Sequence, residues 1–248
     1  YFGNLRNNDR ADDYYARVWQ RNSDGRVIVD ANGQPLRDPY QRKIGHAEPD
    51  WRLGMQNTIH INDFTIGINL NAAIGGLMFS NLSPKMWWGG KHPKSVQYRD
   101  EEYATGKPVY VPNAVRVVSG EVSYDVHGNV VSDTRKYETF DKAVDWQSWC
   151  QNYPYRAIVT DGMDKLFANT FSRTYLKIRH ISLSYDFHRF LPSTSAIKGL
   201  TATLFCNNPL LWAKAPYVDP DVSGDGSHDN GATDPTARYV GLGFNIKF

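Results

Sequence analysis

Residues 51–71, WRLGMQNTIHINDFTIGINLN, decide the fold of this chain. In its two halves, 51–61 and 64–71, apolar residues alternate with polar residues or glycine, and Asn57 is the single polar residue on the apolar side. Such alternation predicts β-strands with one apolar and one polar face. The intervening Asn62-Asp63 predicts a tight reversal. We therefore expect a hairpin of two strands of about ten residues each, the length with which a tilted strand crosses a bilayer.

The same alternation returns in four other segments and gives six main strands in all. The further strands are predicted at Asp13–Gln20, Phe171–Phe187, Leu200–Asn207 and 237–248, and the strand from Phe64 is expected to run on to Ser80. Within the second of these segments the apolar side changes parity, which predicts a β-bulge near Arg179. The smaller elements expected are a hairpin around Val27–Val29, a short helix over Ala143–Gln151 and a turn at Leu210–Ala213.

The connections between the predicted strands alternate in length. Long connections are expected at about 21–50, 81–170 and 208–236, whereas Asn62-Asp63 and His188–Gly199 are short. An antiparallel meander whose long connections all lie on one side is typical of outer-membrane barrels. Six strands cannot close such a barrel alone, because bacterial barrels begin at about eight strands and an open edge in hydrocarbon leaves backbone groups unpaired. We therefore expect this chain, which starts at Tyr1 without a visible leader, to be part of a longer polypeptide.

Composition excludes several other classes of protein. The chain has 248 residues, with 28 Lys and Arg against 26 Asp and Glu, so its net charge of +2 gives no reason to expect a nucleic-acid partner. It has no apolar run near the ~18 residues of a membrane-spanning helix. Seven Trp, 15 Tyr and 11 Phe are too much apolar area for a disordered chain. The two cysteines, Cys150 and Cys206, do not make a disulfide framework.

Several segments carry a family resemblance through their order and spacing. They are IGHAEPDWRLG at 44–54, NAAIGGLMFS at 71–80, VYVPNAV at 109–115, TFSRTYLKIRHISLSYD at 170–186, CNNPLL at 206–211, YVDPD at 217–221 and GLGFNIKF at 241–248. From about Gly45 onward the chain resembles SusC/RagA-type TonB-dependent outer-membrane transporters. It departs from their pattern at Asn208-Pro209, where Asn-Leu is usual, and at His188, where proline often follows the strand.

The resemblance implies an all-β fold, an antiparallel transmembrane β-barrel segment with long extracellular loops. Residues 1–248 would form the C-terminal portion, the last ~6 strands, of a barrel of about 22 strands. It further implies TonB-dependent import of oligosaccharides or peptides across the outer membrane of a Gram-negative cell. The implied partners are the plug and earlier strands of the same barrel, TonB through the N-terminal part, a SusD-like surface lipoprotein as a lid, and membrane lipid.

Aromatic and amide side chains are the candidate ligand-binding residues. Trp87, Trp88, Trp146 and Trp149 lie in the longest connection. Their rings could stack on a substrate, pack against the lid or neighbouring loops, or simply fill the loop. Asn69 and Asn71 lie on the polar side of the strand from Phe64 and would face the lumen. There they could contact substrate, although lining a wet interior or touching the plug is the simpler interpretation.

Two further motifs lie near the end of the chain. Tyr239, Phe244 and Phe248 belong to an alternating aromatic terminus that, given the resemblance, looks like the assembly signal of barrel insertion; an ordinary closing strand is the alternative. Asp219, Asp221, Ser223 and Asp225 resemble part of a calcium loop with glycine at its sixth position. The twelfth position is Asn230 instead of glutamate, so a solvated acidic turn is favoured and no metal or other cofactor is expected.

The sequence predicts no enzyme. His180, Ser182 and Asp186 lie close together, but no nucleophile elbow or oxyanion hole accompanies them. Two alternatives to a transporter stay open at this stage. A secreted all-β glycan-binding module would bury its apolar strand faces against each other. A secreted hydrolase would need paired carboxylates in the long connection.

Overall fold

A computed structural model describes residues 9–152, 169–222, 228–229 and 236–248. Its strands are, in chain order, β1 (Asp13–Ala16), β2 (Val27–Val29), β3 (Arg42–His46), β4 (Trp51–Ile61), β5 (Phe64–Ile74), β6 (Leu77–Ser80), β7 (Ala114–Ser119), β8 (Val122–Tyr124), β9 (Val130–Asp133), β10 (Lys136–Thr139), β11 (Thr170–Ser172), β12 (Tyr175–Asp186), β13 (Gly199–Ala213), β14 (His228–Asp229) and β15 (Tyr239–Lys247). Its helices are α1 (Leu82–Trp88), α2 (Arg99–Thr105) and α3 (Trp146–Asn152), with 3-10 turns at Pro93–Val96 and His188–Phe190. The fold is all-β, as the alternation predicts. None of the helices in these ranges combines the length and apolar character needed to cross a membrane.

The five longest strands form one antiparallel sheet, called the main sheet below, in the order β15-β13-β12-β5-β4. Strands β4 and β5 pair without interruption from Trp51 opposite Ile74 to Ile61 opposite Phe64. The predicted hairpin is therefore confirmed. In its turn Asn62 has a φ of 53°, a left-handed conformation that asparagine adopts more readily than most residues.

The main sheet has one apolar face to which all five strands contribute. In its central row Ile59, Ile66, Leu183, Leu204 and Leu242 are consecutive register partners. Their exposed fractions include 47% for Ile59, 50% for Leu204 and 68% for Leu242. Large apolar side chains of this face are exposed on all five strands.

The opposite face of the main sheet is polar. One row there consists of His60, Thr65, Ser184, Thr203 and Gly243, again as consecutive register partners. Side chains in this row bond to each other, with 2.9 Å between His60 Nδ1 and Thr65 Oγ1 and 2.8 Å between the hydroxyls of Ser184 and Thr203. The register thus confirms the division into two faces that the sequence predicts.

The predicted bulge is also present. The register of β12 shifts between Ile178 and His180 against both of its neighbours, which leaves Arg179 as the extra residue. On β13 the residues opposite this shift, Asn208 and Pro209, have no register partner on β12. Asn208 has a φ of 51°. One extra residue changes the parity of everything that follows it, which is why the apolar side switches from even to odd numbers along this strand.

The turn predicted at Leu210–Ala213 is wrong, because β13 continues through it to Ala213. Leu210 pairs with Ile178 and Leu211 with Lys177 on β12. The connection expected from residue 208 therefore begins only after Ala213. Asn208-Pro209 looks like a strand end in the sequence, but the bulge accommodates it within the strand.

The extension of β5 to Ser80 is wrong as well. The strand ends at Ile74 because Gly75 and Gly76 have φ angles of 82° and 68°, outside the range of a strand. At Gly75 a Cβ atom would lie 1.9 Å from the carboxylate of Asp50, so this position has no room for a side chain. Residues Leu77–Ser80 form the separate strand β6, which joins β11 and β14 in a small sheet.

The chain divides into two compact units. The sheet unit comprises Glu48–Met78, Phe171–Gly226 and Thr233–Phe248 and contains the main sheet. The loop unit comprises Tyr1–Ala47, Phe79–Thr170 and Ser227–Ala232. The longest predicted connection, at 81–170, thus contributes helices and strands to a folded unit.

The loop unit is built from short elements. Strand β2 pairs in parallel with β7, which pairs with β10 on its other side; β1 pairs with β3 and β8 with β9. The strand predicted over Asp13–Gln20 is only Asp13–Ala16. The helix predicted over Ala143–Gln151 is confirmed as α3. A small apolar core consists of Val29, Ala114 and Phe140 with the partly buried Val27 and Val144.

Candidate functional site

Three of the four candidate tryptophans come together in the loop unit. Trp87 near the end of α1 and Trp146 and Trp149 of α3 are buried and pack with Cys150. Two further rings that the sequence did not single out, Tyr98 and Tyr110, pack against this group. We call these six residues the aromatic cluster.

Ring contacts and hydrogen bonds fix the geometry of the aromatic cluster. The ring of Tyr110 lies 4.7 Å from that of Trp146 and 5.3 Å from that of Trp149, both in tilted or edge arrangements favoured by aromatic pairs. The indole N–H of Trp146 donates to the carbonyl of Ser95 at 2.8 Å. The ring of Trp87 stacks on His92 with centroids 3.8 Å apart. Most of the tryptophan surface is thus used for packing.

Glu102 ties the helices around the cluster together. Its carboxylate accepts the backbone N–H of Val109 at 3.2 Å and that of Trp146 at 3.0 Å. The neighbouring Asp145 accepts the N–H of Ser148 at 2.7 Å, as an N-cap residue of α3 does. Asp145 has the local spacing of an N-cap residue, whereas Glu102 carries no local signal because Trp146 lies 44 residues away in sequence.

A cavity of 460 Å³ lies beside the aromatic cluster. Its lining includes the buried rings of Trp87 and Trp146 together with two exposed aromatic residues, Trp88 (53% exposed) and Tyr103 (91% exposed). Arg99 is the cation in the lining, four residues before Tyr103 on α2. Exposed rings beside a guanidinium and amides can stack on a sugar ring or hold a peptide side chain. The structure therefore brings Trp87, Trp88 and Trp146 to one cavity.

Two titratable groups in this region have shifted pKa values, Cys150 upward and His92 downward. Burial, reinforced by the carboxylates of Glu102 and Asp145, raises the pKa of Cys150 to about 12. A thiol in this state is protonated at neutral pH and is a poor nucleophile. Burial and the charge of Lys94 lower the pKa of His92.

Asn69 and Asn71 lie on the polar face of the main sheet, as predicted from their parity. Asn69 is the register partner of Gln56 on β4 and of His180 on β12. Asn71 Oδ1 lies 2.5 Å from the hydroxyl of Tyr175. The Asn71 side chain is thus hydrogen-bonded on this face, and the structure places both asparagines in the other unit from the tryptophans.

A charged cluster occupies the same polar face near the ends of β5, β12 and β13. Lys177 Nζ lies 2.6 Å from Asp219 Oδ2 and 3.2 Å from Asp221 Oδ2, and Arg179 Nη2 lies 2.7 Å from Asp221. The two candidate calcium ligands Asp219 and Asp221 are therefore bonded to protein cations. The other two, Ser223 and Asp225, lie outside the described residues. In the ranges that the structure covers, no group of three or more His, Cys, Asp or Glu side chains could hold a metal ion.

The aromatic terminus is exposed throughout. Tyr239 opens β15 opposite Asn207, and Phe244 lies on the apolar face opposite Ala202. Phe248 follows the strand, and all three side chains are exposed. The strand predicted at the end of the chain is confirmed at Tyr239–Lys247.

Comparison with solved structures supports the fold. Over 96% of its length the chain superposes on the RagAB peptide importer in its 'open-open' state, with a TM-score of 0.51 and 12% sequence identity. Structures in the 'closed-closed' state and of the RagAB peptide transporter match at TM-scores of 0.49, with 12% and 15% identity. The chain spans 22% of the length of each of these chains. No protein-family model and no curated protein matches the sequence.

Proposed function

We propose that this chain is a C-terminal section of an outer-membrane importer of the SusC-like, TonB-dependent kind. The main sheet would form part of the barrel wall, and the loop unit would belong to the extracellular loops. The imported cargo would be an oligosaccharide or a peptide, delivered with the help of a SusD-like lipoprotein. The chain would carry out no covalent chemistry.

The exposed apolar face of the main sheet is the observation that carries this proposal. Its rows run unbroken across five strands, and Val240, Leu242 and Phe244 on the outermost strand are each about two-thirds exposed. A secreted binding module would bury such a face in a core. Lipid covers the outward face of a membrane barrel strand, while the inward face is polar, as it is here.

The two edge strands of the main sheet also support a position within a larger barrel. Strands β4 and β15 each have one neighbour in the sheet. Both edges could pair with further strands, and in hydrocarbon they must do so because unpaired backbone groups there cost several kcal/mol each. Neighbouring strands of a larger barrel would supply those partners.

The connections of the main sheet are sorted by length. The two short ones, between Ile61 and Phe64 and between Asp186 and Gly199, leave one end of the sheet. The two long ones leave the other end, near Ala73, Tyr175 and Ala213, which are register partners. Sorting of this kind is typical of outer-membrane barrels, whose long loops are extracellular. The cavity beside Trp88 and Tyr103 belongs to one of these long connections and is our candidate for a cargo contact.

Fluorescence quenching by lipid tests whether the apolar face of the main sheet faces the bilayer. In a background of Cys150→Ser and Cys206→Ser, single cysteines at Leu204 and at its neighbour Thr203 would carry the same fluorophore. After reconstitution into vesicles, brominated lipid should quench the label at 204 and leave the label at 203 bright. Equal quenching at both positions, or recovery of the protein in the aqueous fraction of a lysate, would contradict the proposal and favour a secreted module.

Import is tested separately in cells that produce the protein. Uptake of labelled oligosaccharides and of labelled peptides is compared with and without the gene, and with and without a protonophore. Gene-dependent uptake that the protonophore abolishes supports energised import and identifies the cargo class. Gene-dependent uptake that continues without protonmotive force would refute the dependence on TonB.

A further inference from the structure

We propose that Lys177 is the anchor of the connection between β13 and β15, holding Asp219 and Asp221 after the first strand and Thr236 before the second against the polar face of the main sheet. This inference concerns the folding of the sheet unit. It does not depend on what, if anything, the protein imports.

Lys177 is the most completely buried charged side chain of the cluster, with 1% of its surface exposed. Its ammonium group has three N–H donors, and three acceptors lie around it. Asp219 Oδ2 is 2.6 Å away, Asp221 Oδ2 3.2 Å and Thr236 Oγ1 3.3 Å. Every donor of the buried cation therefore has a partner from the connection. A buried charge requires such pairing, so the lysine and its acceptors must stay together.

The acceptors are themselves held by further groups. Asp221 also lies 2.7–2.8 Å from Arg179 Nη2 and 2.9 Å from the hydroxyl of Tyr175. The hydroxyl of Thr236 donates to Asp219, which joins the two ends of the connection directly. Two cations face two carboxylates, so the cluster is neutral as a whole. It needs no added cation to balance the Asp219-Pro220-Asp221 motif.

The bulge on β12 is part of the same arrangement. In a regular strand Arg179 and His180 would lie on opposite faces of the sheet. The extra residue of the bulge allows both side chains to bond to groups on the polar side, Arg179 to Asp221 and His180 to Asn207. The matching irregularity on β13 frees the Asn208 side chain, which donates to the carbonyl of Ala237 at 3.0 Å. Thus the bulge supplies a second hold on the chain just before β15 begins at Tyr239.

The start of the connection is fixed next to the cluster. The backbone N–H of Lys214 donates to the carbonyl of Thr174 at 2.9 Å, and Ala215 is buried. Both ends of the connection therefore meet on β12 and its bulge. From these ends the last strand enters the sheet with Tyr239 opposite Asn207. Lys177 thereby holds the chain at Thr236, just before the C-terminal strand starts at Tyr239.

Limited trypsin digestion of the protein as it is naturally produced tests the anchor. Lys214–Ala215 and Arg238–Tyr239 are cleavable bonds at the two ends of the connection. In the variant Lys177→Met we expect cleavage at both bonds to become about tenfold faster or more, because the opened state is then well populated. Lys198→Met is the matched control, since Lys198 is an exposed lysine of the same unit. It should leave both rates unchanged.

A second pair of variants keeps the test decisive if Lys177→Met does not fold. Asp221→Asn retains the bond of Lys177 to Asp219 but weakens the hold of Arg179, so cleavage should rise by a smaller factor. Lys177→Met combined with Asp219→Leu removes both charges and should return the rate toward that of the parent. Cleavage in Asp221→Asn that matches the parent, or in Lys177→Met that matches Lys198→Met, would overturn the proposal.

Discussion

The ring of Phe205 on β13 lies over Gly241, its register partner on β15. A Cβ atom at position 241 would be 2.6 Å from Cζ of this ring, which is closer than any real contact. The same ring stacks on His180 of β12, with centroids 6.1 Å apart. One aromatic side chain on the polar face thus spans three strands, and the glycine makes room for it.

Replacing this glycine should loosen the last strand. We expect Gly241→Ala to lower the free energy of unfolding by about 1–3 kcal/mol, since the added methyl group must displace the ring. Gly243→Ala is the control, because a Cβ atom there would meet nothing closer than the Thr203 carbonyl at 4.0 Å. Denaturant titration of the folded protein, followed by gel mobility without heating, measures both. Equal stability of the two variants would show that the ring moves aside freely.

A charge on the apolar face should prevent membrane insertion. We expect Leu204→Lys to destabilise the inserted protein by about 2–4 kcal/mol if the central row lies near the bilayer midplane. Thr203→Lys places the same charge on the polar face and should cost far less. The fraction of protein extracted from membranes in folded form distinguishes them. Similar losses in both variants would be inconsistent with a lipid-facing wall.

The period-two alternation predicted all five strands of the main sheet, although it also counted Asp13–Gln20 as a main strand, and that segment pairs elsewhere as β1. The alternation identifies which residues of 51–61 and 64–71 share a face because a strand side chain can only point to one of two sides. It also locates the bulge at Arg179, since a change of parity has few other causes. The alternation could not show that β13 continues past Asn208-Pro209, because the matching irregularity becomes visible only when β13 is paired with β12.

The candidate sites were harder to predict than the sheet. Trp87, Trp88 and Trp146 stand out by residue type, and the structure brings them to one cavity. Glu102 and Lys177 carry no local signal, since their partners lie far away in sequence. For Asp219 and Asp221 the sequence favoured a solvated acidic turn, whereas in the fold both carboxylates are largely buried and paired with Lys177.

Removing the carboxylate of Glu102 should disrupt the cavity. Its bonds to Val109 and Trp146 are charge-assisted, and such bonds contribute about 1.5–3 kcal/mol. We expect Glu102→Ala to destabilise the loop unit by this amount and to shift tryptophan fluorescence to longer wavelength as Trp146 meets water. Glu101→Ala changes an exposed neighbour on the same helix and should do neither. An unchanged spectrum in Glu102→Ala would show that ring packing alone holds the cluster.

Cys150 should resist alkylation at ordinary pH. With its pKa raised to about 12, roughly one thiol in ten thousand is ionised at pH 8. In a Cys206→Ser background, we expect iodoacetamide to label the folded protein far more slowly than the protein in urea. The rate should rise with pH up to about 12 as long as the fold persists. Mass spectrometry follows the label, and rapid modification at pH 8 would show that the aromatic cluster opens readily.

Acid should release the connection anchored at Asp219. Burial raises the pKa of this carboxyl, but hydrogen bonds from Lys177 and Thr236 outweigh it and lower the pKa below its ordinary value of 3.8. A carboxyl whose pKa is lower in the folded state stabilises that state fully above its unfolded pKa, and the stabilisation is lost as the pH falls through the folded pKa. Hydrogen exchange of residues 214–222, corrected for intrinsic rates, should therefore be equally slow at pH 7 and pH 5 and become faster only below about 4.

The amides of the β4–β5 hairpin serve as an internal reference. In Asp219→Asn the segment should exchange faster at neutral pH and lose most of this acid response, whereas loss of protection already between pH 7 and 5 in the parent would assign the anchor to a different group.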